Sequence, residues 1–252
     1  MHESTFYLHF FLLLTTIYLL LAISMNFHII TLFPEMFDSY IGESILGRAI
    51  QEKKISVSFT NPRKFVTGKY KKVWPDGNIS LQVDDRPYAG GPGMVMRAEP
   101  IIKAVESAVK KISKRKNTKL LIINFVPSAE KFTTVLAKQF SKKYTDIIMI
   151  CGRYEGIDAR IDKILKTKQI SIGDYVLTGG EIPAMVLIDS ISRQVEGVLG
   201  NFDSREEERV SSSEVYTRPE VFVHNGKKYS VPKVLLSGDH KKIQLYKISK
   251  KS

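Results

Sequence analysis

Residues 146–158 read DIIMICGRYEGID. An unbroken apolar run from Ile147 to Cys151 passes directly into a loop bounded by Gly152 and Gly156. A strand that is apolar on both faces has to be covered on both faces, as in a parallel sheet lying between helices. Ligands of such sheets bind outside the carboxyl ends of the strands, where this loop falls. The pattern recurs on either side. Residues 120–126 (LLIINFV) make another apolar strand, 169–172 a shorter one, and 26–32 (NFHIITL) the first, while 56–60 alternates like a strand. Helical spacing fills the intervals at 35–51, from 101 to 109, at 133–143 and at 181–193, the last with Pro183 in its first turn. The expected fold class is α/β with a parallel sheet. Residues 64–96, crowded with Gly, Pro and charge, predict a long loop of functional character.

The composition sets the outer limits. With 43% hydrophobic and 25% charged residues among 252, the chain is globular and is neither disordered nor a multi-span membrane protein. A single cysteine, Cys151, excludes a disulfide scaffold and a cysteine-based zinc site. The formal charge is +12, and residues 1–24 hold only one charged side chain, Glu3. The remaining 228 residues therefore carry 38 basic against 25 acidic groups, or +13. A polyanion is the leading class of partner. The apolar leader at residues 6–23 is close to the length of a bilayer span and ends in a small-x-small triplet, Ala22-Ile23-Ser24. It lacks the positive n-region of a signal peptide, and the first basic residue after it is Arg48. The preferred reading is a start-site extension with Met25 as the functional first residue, and no membrane partner is expected.

Several common chemistries are excluded by motif. No glycine turn follows the first strand, where Leu32-Phe33-Pro34-Glu35-Met36 stands, so a methyltransferase of the doubly wound type is disfavoured. There is no phosphate-loop lysine, HExxH or GxSxG, and the histidines show no ligand spacing, so no metal site is expected. Three segments remain. Residues 83–96 (VDDRPYAGGPGMVM) form a tight backbone that lets a flat or phosphorylated ligand approach. CGRYEGID (151–158) and ISIGDYVLTGGE (170–181) both follow strands, and the second runs into a helix whose first-turn N–H groups are free to bind a ligand. Each could be an ordinary turn. Two such loops on neighbouring strands favour a binding site.

DDRPYAGGPGM (84–94), CGRYEGID, SIGDYVLTGGE (171–181), YTRPEVF (216–222) and VPKVLLSGDH (231–240) together identify a resemblance. From Met25 to about Lys250 the chain resembles the bacterial tRNA (guanine-N1)-methyltransferase family of the knotted SPOUT class. The resemblance implies a deep trefoil knot toward the C-terminal side of an α/β domain at 25–193, an exception to the rule against knots. It also implies a flexible acidic linker at 194–215, a small, mainly helical tRNA-binding domain at 216–252, and a homodimer whose active site lies at the subunit interface. The implied cofactor is S-adenosylmethionine, and Mg²⁺ is suggested. The implied product is methylated N1 of guanosine 37, next to the anticodon, made in the cytoplasm.

Carried over residue by residue, the cofactor pocket comprises Pro127, then Gly152, Arg153, Tyr154, Glu155 and Gly156, then Ile172, Gly173, Tyr175, Val176, Leu177, Gly179 and Gly180, with Pro183. Methyl transfer to N1 must also remove the N1 proton, whose pKa lies well above neutrality. It therefore calls for a carboxylate base and a cation near O6. Arg193 matches the family's catalytic arginine. The base falls in Glu206-Glu207-Glu208, where ungapped counting selects Glu208, with Glu207 next and Asp203 third. Asp84 and Tyr88 match the guanine-binding side, and Arg218 is the C-terminal residue placed to touch RNA or order the linker. The chain departs from the family pattern at Ala89, at Asn124-Phe125-Val126 and in the altered context of the base.

RNA binding has support apart from the resemblance. Lys69, Lys71 and Lys72 alternate with Tyr70 and Trp74, residues 110–116 are rich in Lys and Arg, and the C-terminal helix carries several lysines. The rival class is a basic, knotted RNA-binding protein that keeps the pocket but has lost turnover.

Overall fold

The computed structural model describes residues 25–88, 90–199 and 214–250. The leader, Ala89 and the linker carboxylates Asp203, Glu206, Glu207 and Glu208 lie outside the described residues. In chain order the first part comprises β1 (Met25–Ile30), a 3₁₀ turn (Pro34–Phe37), α1 (Asp38–Ile41), α2 (Ser44–Gln51), β2 (Ile55–Thr60), β3 (Lys71–Val73), β4 (Ile79–Leu81), β5 (Asp84–Asp85), β6 (Val95–Met96) and α3 (Ala98–Ile112). Next come β7 (Leu120–Phe125), α4 (Thr134–Lys143), β8 (Asp146–Ile150), α5 (Arg160–Leu165), β9 (Lys168–Ile170) and α6 (Glu181–Ser192). The chain ends with β10 (Val221–His224), β11 (Lys227–Ser230), α7 (Lys233–Leu236) and α8 (His240–Ser249).

A five-stranded parallel sheet has the order β2-β1-β8-β7-β9. Side-chain alternation along its strands divides the interior into two cores. Phe27, Ile29, Ile147 and Met149 face one way and pack with Phe37, Leu46, Phe140 and Leu187 from the helices of that side. Ile30, Ile148 and Ile150 face the other way and meet Ile101, Val105, Ile112 and Ile161. Helix α3 presents Ile101, Ala104, Val105, Ala108 and Ile112 on one buried stripe, the spacing of an amphipathic helix against a sheet. Helix α6 buries seven of its twelve residues, in keeping with its mostly apolar sequence.

The expected helix at 35–51 is broken. Glu43 is extended, with φ −115° and ψ 163°, between the two short helices. A Cβ on Gly47 would sit 2.3 Å from the Gly42 carbonyl oxygen, so the second helix folds back tightly on the turn before it. The loop at 64–96 holds two small antiparallel ribbons, β3–β4 and β5–β6.

The chain divides into two compact units after Val198. Gln194 and Val198 are buried, so the first unit continues past Arg193. The second unit has, besides its two helices, a hairpin in which Phe222 pairs with Tyr229 and His224 with Lys227. Glu214 accepts hydrogen bonds from Tyr216, Tyr246 and Lys250 at 3.0–3.2 Å, which ties the start of this unit to α8. Asp239 caps α8 by accepting from the backbone N–H groups of Lys241 and Lys242.

Candidate active site

A cleft of about 380 Å³ opens at the carboxyl ends of β7, β8 and β9. The chain runs from β7 to β8 on one side, then crosses over to β9 on the other, so the three loops diverge there and leave a crevice. Every residue expected to hold the cofactor lines this cleft: Pro127 after β7; Gly152, Arg153, Tyr154, Glu155 and Gly156 after β8; Ile172, Gly173, Tyr175, Val176, Leu177, Gly179 and Gly180 after β9; and Pro183 in α6.

Glycines permit the walls to approach one another. The Gly180 N–H donates to the Gly152 carbonyl at 2.9 Å, and a Cβ on Gly180 would lie 2.6 Å from Cα of Cys151. Tyr154 (φ +61°) and Gly156 (φ +120°) turn the β8 loop back on itself. Beneath the loops lies a buried ion pair. Arg153 Nε is 3.0 Å from Glu181 Oε2, a contact held by charge rather than by a well-aligned hydrogen bond. Thr31 Oγ1 donates to Glu181 Oε1 at 2.8 Å, and the Arg153 guanidinium lies 4.8 Å from the centre of the Phe33 ring. A Cβ on Gly179 would come within 2.6 Å of both charged groups. Arg153 thus joins the β8 loop to the start of α6, with its charge directed at Glu181. Burial, reinforced by the nearby Glu181 carboxylate, pushes the Cys151 thiol well above its ordinary pKa, so this cysteine is no nucleophile.

The glycine-rich loop at 84–96 joins the site through its backbone. The Glu155 N–H donates to the Met94 carbonyl, the Met96 N–H to Gly156 and the Asp158 N–H to Met96, at 2.9–3.0 Å. A Cβ on Gly93 would press on the Glu155 side chain at 2.6 Å. Asp84, half-buried on β5, and Tyr88, fully exposed, are not walls of the cleft. Arg193 caps α6, its N–H bonded to the Asp189 carbonyl. The helix has twelve residues, which sets Arg193 about 18 Å from the cleft end of its own helix. Arg218 is exposed in the second unit.

Asp162 and Asn124 also line the cleft and were not among the expected site residues. Asp162 accepts from Asn124 Nδ2 at 2.9 Å, from Gln169 Nε2 at 2.8 Å and from Thr167. Asn124, a departure from the family pattern, therefore has a local purpose in tying β7 to α5. The signal for Asp162 was weak because its helix is only six residues long.

A family model described as tRNA (Guanine-1)-methyltransferase TrmD matches residues 25–252. The chain belongs to this family. A tRNA (guanine-N(1)-)-methyltransferase of Clostridioides difficile is 46% identical over 223 residues, covering 87% of this chain and 89% of the relative. One from Pseudoalteromonas atlantica is 41% identical and covers 88% and 78%. The crystal structure of the tRNA (m1G37) methyltransferase from Aquifex aeolicus is similar, with a TM-score of 0.68, 37% identity, and coverage of 90% of this chain and 88% of that one. Among the described residues of this tRNA (guanine-1)-methyltransferase family member, no helix is long and apolar enough to cross a membrane, and no group of three or more His, Cys, Asp and Glu could hold a metal ion.

Proposed function

We propose that this protein transfers a methyl group from S-adenosylmethionine to N1 of guanosine 37 in tRNA, in the cytoplasm. The observation that carries the reading is the cleft after β7, β8 and β9, lined by every residue that the family motifs assign to the methyl donor. Its size suits a small cofactor. Pro127, Ile172, Leu177 and Pro183 offer apolar walls for an adenine ring, and the glycine backbone and the first-turn N–H groups of α6 offer hydrogen bonds for its edge and ribose. We read the crossing of these loops as a trefoil knot. When bound, S-adenosylmethionine supplies an electrophilic methyl group.

The chain's own residues position guanine and handle its proton. Arg193 stabilises the charge that develops on O6, and Glu208 or Glu207 takes the N1 proton. Arg193 is too far from its own cleft for this role, which favours a composite site. Ile182 and Val186 of α6 are exposed along one stripe, with Met36 and Tyr40 from the turn and helix after β1. The Tyr40 hydroxyl donates a hydrogen bond to Asp189, which pushes the tyrosine pKa up to about 12. Twofold pairing of this face, with α6 antiparallel to its counterpart, would set one protomer's Arg193 against the other's cleft. We therefore read the protein as a homodimer.

Asp84 and Tyr88 are assigned to the guanine side, on a loop braced against Glu155. The C-terminal unit is assigned to tRNA. One face of its hairpin stacks Phe222 on His224, with ring centroids 6.4 Å apart and planes 13° apart, and holds Lys227 over Tyr229. This combination suits unpaired bases and their phosphates. Arg218 leads into that hairpin. The described residues form no Mg²⁺ site of their own, and no step above uses one.

The test is methyl incorporation into unmodified tRNA carrying guanosine 37 and into the same tRNA with adenosine there. Guanosine-dependent transfer is expected, with Arg193→Ala lowering it by roughly 10²- to 10³-fold. Glu207→Gln and Glu208→Gln made singly identify the base. RNA binding without guanosine-dependent transfer would favour the non-catalytic reading instead.

A further inference from the structure

We infer that the end of the sheet opposite the cleft docks the sugar–phosphate backbone of an RNA duplex. Because the strands are parallel, all connections that feed them arrive at one end. The registers Met25 with Ile55, Asn26 with Asp146 and Leu120 with Asp146 put the starts of β2, β1, β8 and β7 side by side. At the usual strand spacing this rim is about 15 Å wide. The connections are basic. Lys53 and Lys54 precede β2, Lys142 and Lys143 end α4 before β8, and the stretch from the last turn of α3 to the start of β7 reads KKISKRKNTK at 110–119. Lys110, Lys111, Lys114, Lys116 and Lys119 are all exposed, and no carboxylate of the described residues is in ion-pair range of any of them. The carboxylate nearest in sequence to the start of β8, Asp146, is fully buried and already bonded to His28, Thr145 and Arg115.

Helix-dipole compensation does not account for this surface. It favours cations in the last turn of a helix, such as Lys110 and Lys111 or Lys142 and Lys143. Lys114, Lys116 and Lys119 lie beyond the end of α3, as do Lys53 and Lys54 beyond α2. The rim also lacks what a protein or a membrane surface would use. Between Tyr88 and Val135 no described residue is an exposed large hydrophobic, and there is none at 142–145. A protein interface has an apolar centre, and stable membrane attachment adds inserted apolar groups. Compact, hydrated lysine charges suit phosphates of any sequence, and the ring at 142–145, Tyr144, is half-buried beneath Lys143.

This inference stands apart from the methyl-transfer reading. β7 has six residues and β8 five, so the rim lies roughly 17–20 Å from the cleft. An RNA segment on the rim is therefore distinct from one whose base enters the same protomer's cleft.

The experiment measures binding of a loop-free RNA duplex to the full chain across about 50 to 200 mM salt. The quadruple variant Lys110→Glu, Lys111→Glu, Lys114→Glu, Lys116→Glu is compared with the unaltered protein. Its duplex affinity should fall at least about tenfold, and its log–log salt slope should be shallower by about 3.6, since each phosphate contact contributes roughly 0.9. Calorimetric binding of S-adenosylmethionine should stay unchanged, as the cleft is remote. Should that binding be lost as well, the milder Lys114→Gln, Lys116→Gln pair is used, with a slope change of about two expected. Unchanged duplex affinity and slope would overturn the inference. So would lysine-dependent binding to vesicles of acidic phospholipid with none to the duplex. Methyl transfer is assayed separately, so failure of the rim and failure of the catalytic reading give different results.

Discussion

At the residue scale, the cleft depends on side chains that are missing and on one buried charge pair. Gly180→Ala puts a methyl group 2.6 Å from Cα of Cys151 and 3.0 Å from the Gly152 nitrogen, both backbone atoms that cannot swing aside. Overpacking of this kind costs about 1–3 kcal/mol. The expected outcome is a lower denaturant midpoint together with weaker S-adenosylmethionine binding by calorimetry. Arg153→Met leaves the Glu181 carboxylate, which is 1% exposed, without its cation. Breaking a buried pair from one side costs about 3–5 kcal/mol. The double variant Arg153→Met, Glu181→Met should recover part of that loss, and the cycle of denaturation curves measures the coupling. Unlike the glycines, whose strings could be read directly, this pair was not legible in the sequence. Arg153 and Glu181 lie in different motifs, and only the fold brings them together.

At the element scale, Asp146 shows how β8 is fastened to its neighbours. Burial alone would raise its pKa, but hydrogen bonds from His28, Thr145 and Arg115 outweigh burial and hold it below the ordinary value of 3.8. A depressed carboxylate stabilises the fold above its unfolded pKa, and the gain is lost as pH falls through the lower folded value. Asp146→Asn should therefore lower stability at neutral pH and flatten its decline below about pH 4, as read from denaturant midpoints against pH. The sheet itself was legible because β7 and β8 are almost wholly apolar, β1 and β2 carry apolar residues at alternate positions, and the main helices have helical spacing. Shorter elements were hidden. β5 and β6 are two-residue strands, α5 is six residues long, and the β10–β11 hairpin exposes both faces, so none leaves a periodic apolar trace. The break at Glu43 was hidden for a different reason, since apolar positions keep helical spacing across it.

At the scale of the whole molecule, the cleft is built from the first compact unit alone. Residues 25–198 should bind S-adenosylmethionine with affinity within a few-fold of the full chain, yet transfer no methyl group to tRNA, because the assigned base and the hairpin are gone. Calorimetry and methyl incorporation on the same preparation check both halves of this expectation. The sheet order has a further consequence, for synthesis. β1 leaves the ribosome before the rest of its sheet, but one of its two neighbours is β8, and the bond from Asn26 to the Thr145 carbonyl spans 119 residues. Until that partner emerges, Phe27 and Ile29 have no completed core to enter, and long-range pairing of this kind slows folding. Nascent chains stalled before residue 146 should be digested readily by protease, and resistance should appear only once β8 has cleared the exit tunnel. The first strand of the sheet must wait for one of its last, and a chaperone that shields apolar segments during that interval should raise the yield of folded enzyme.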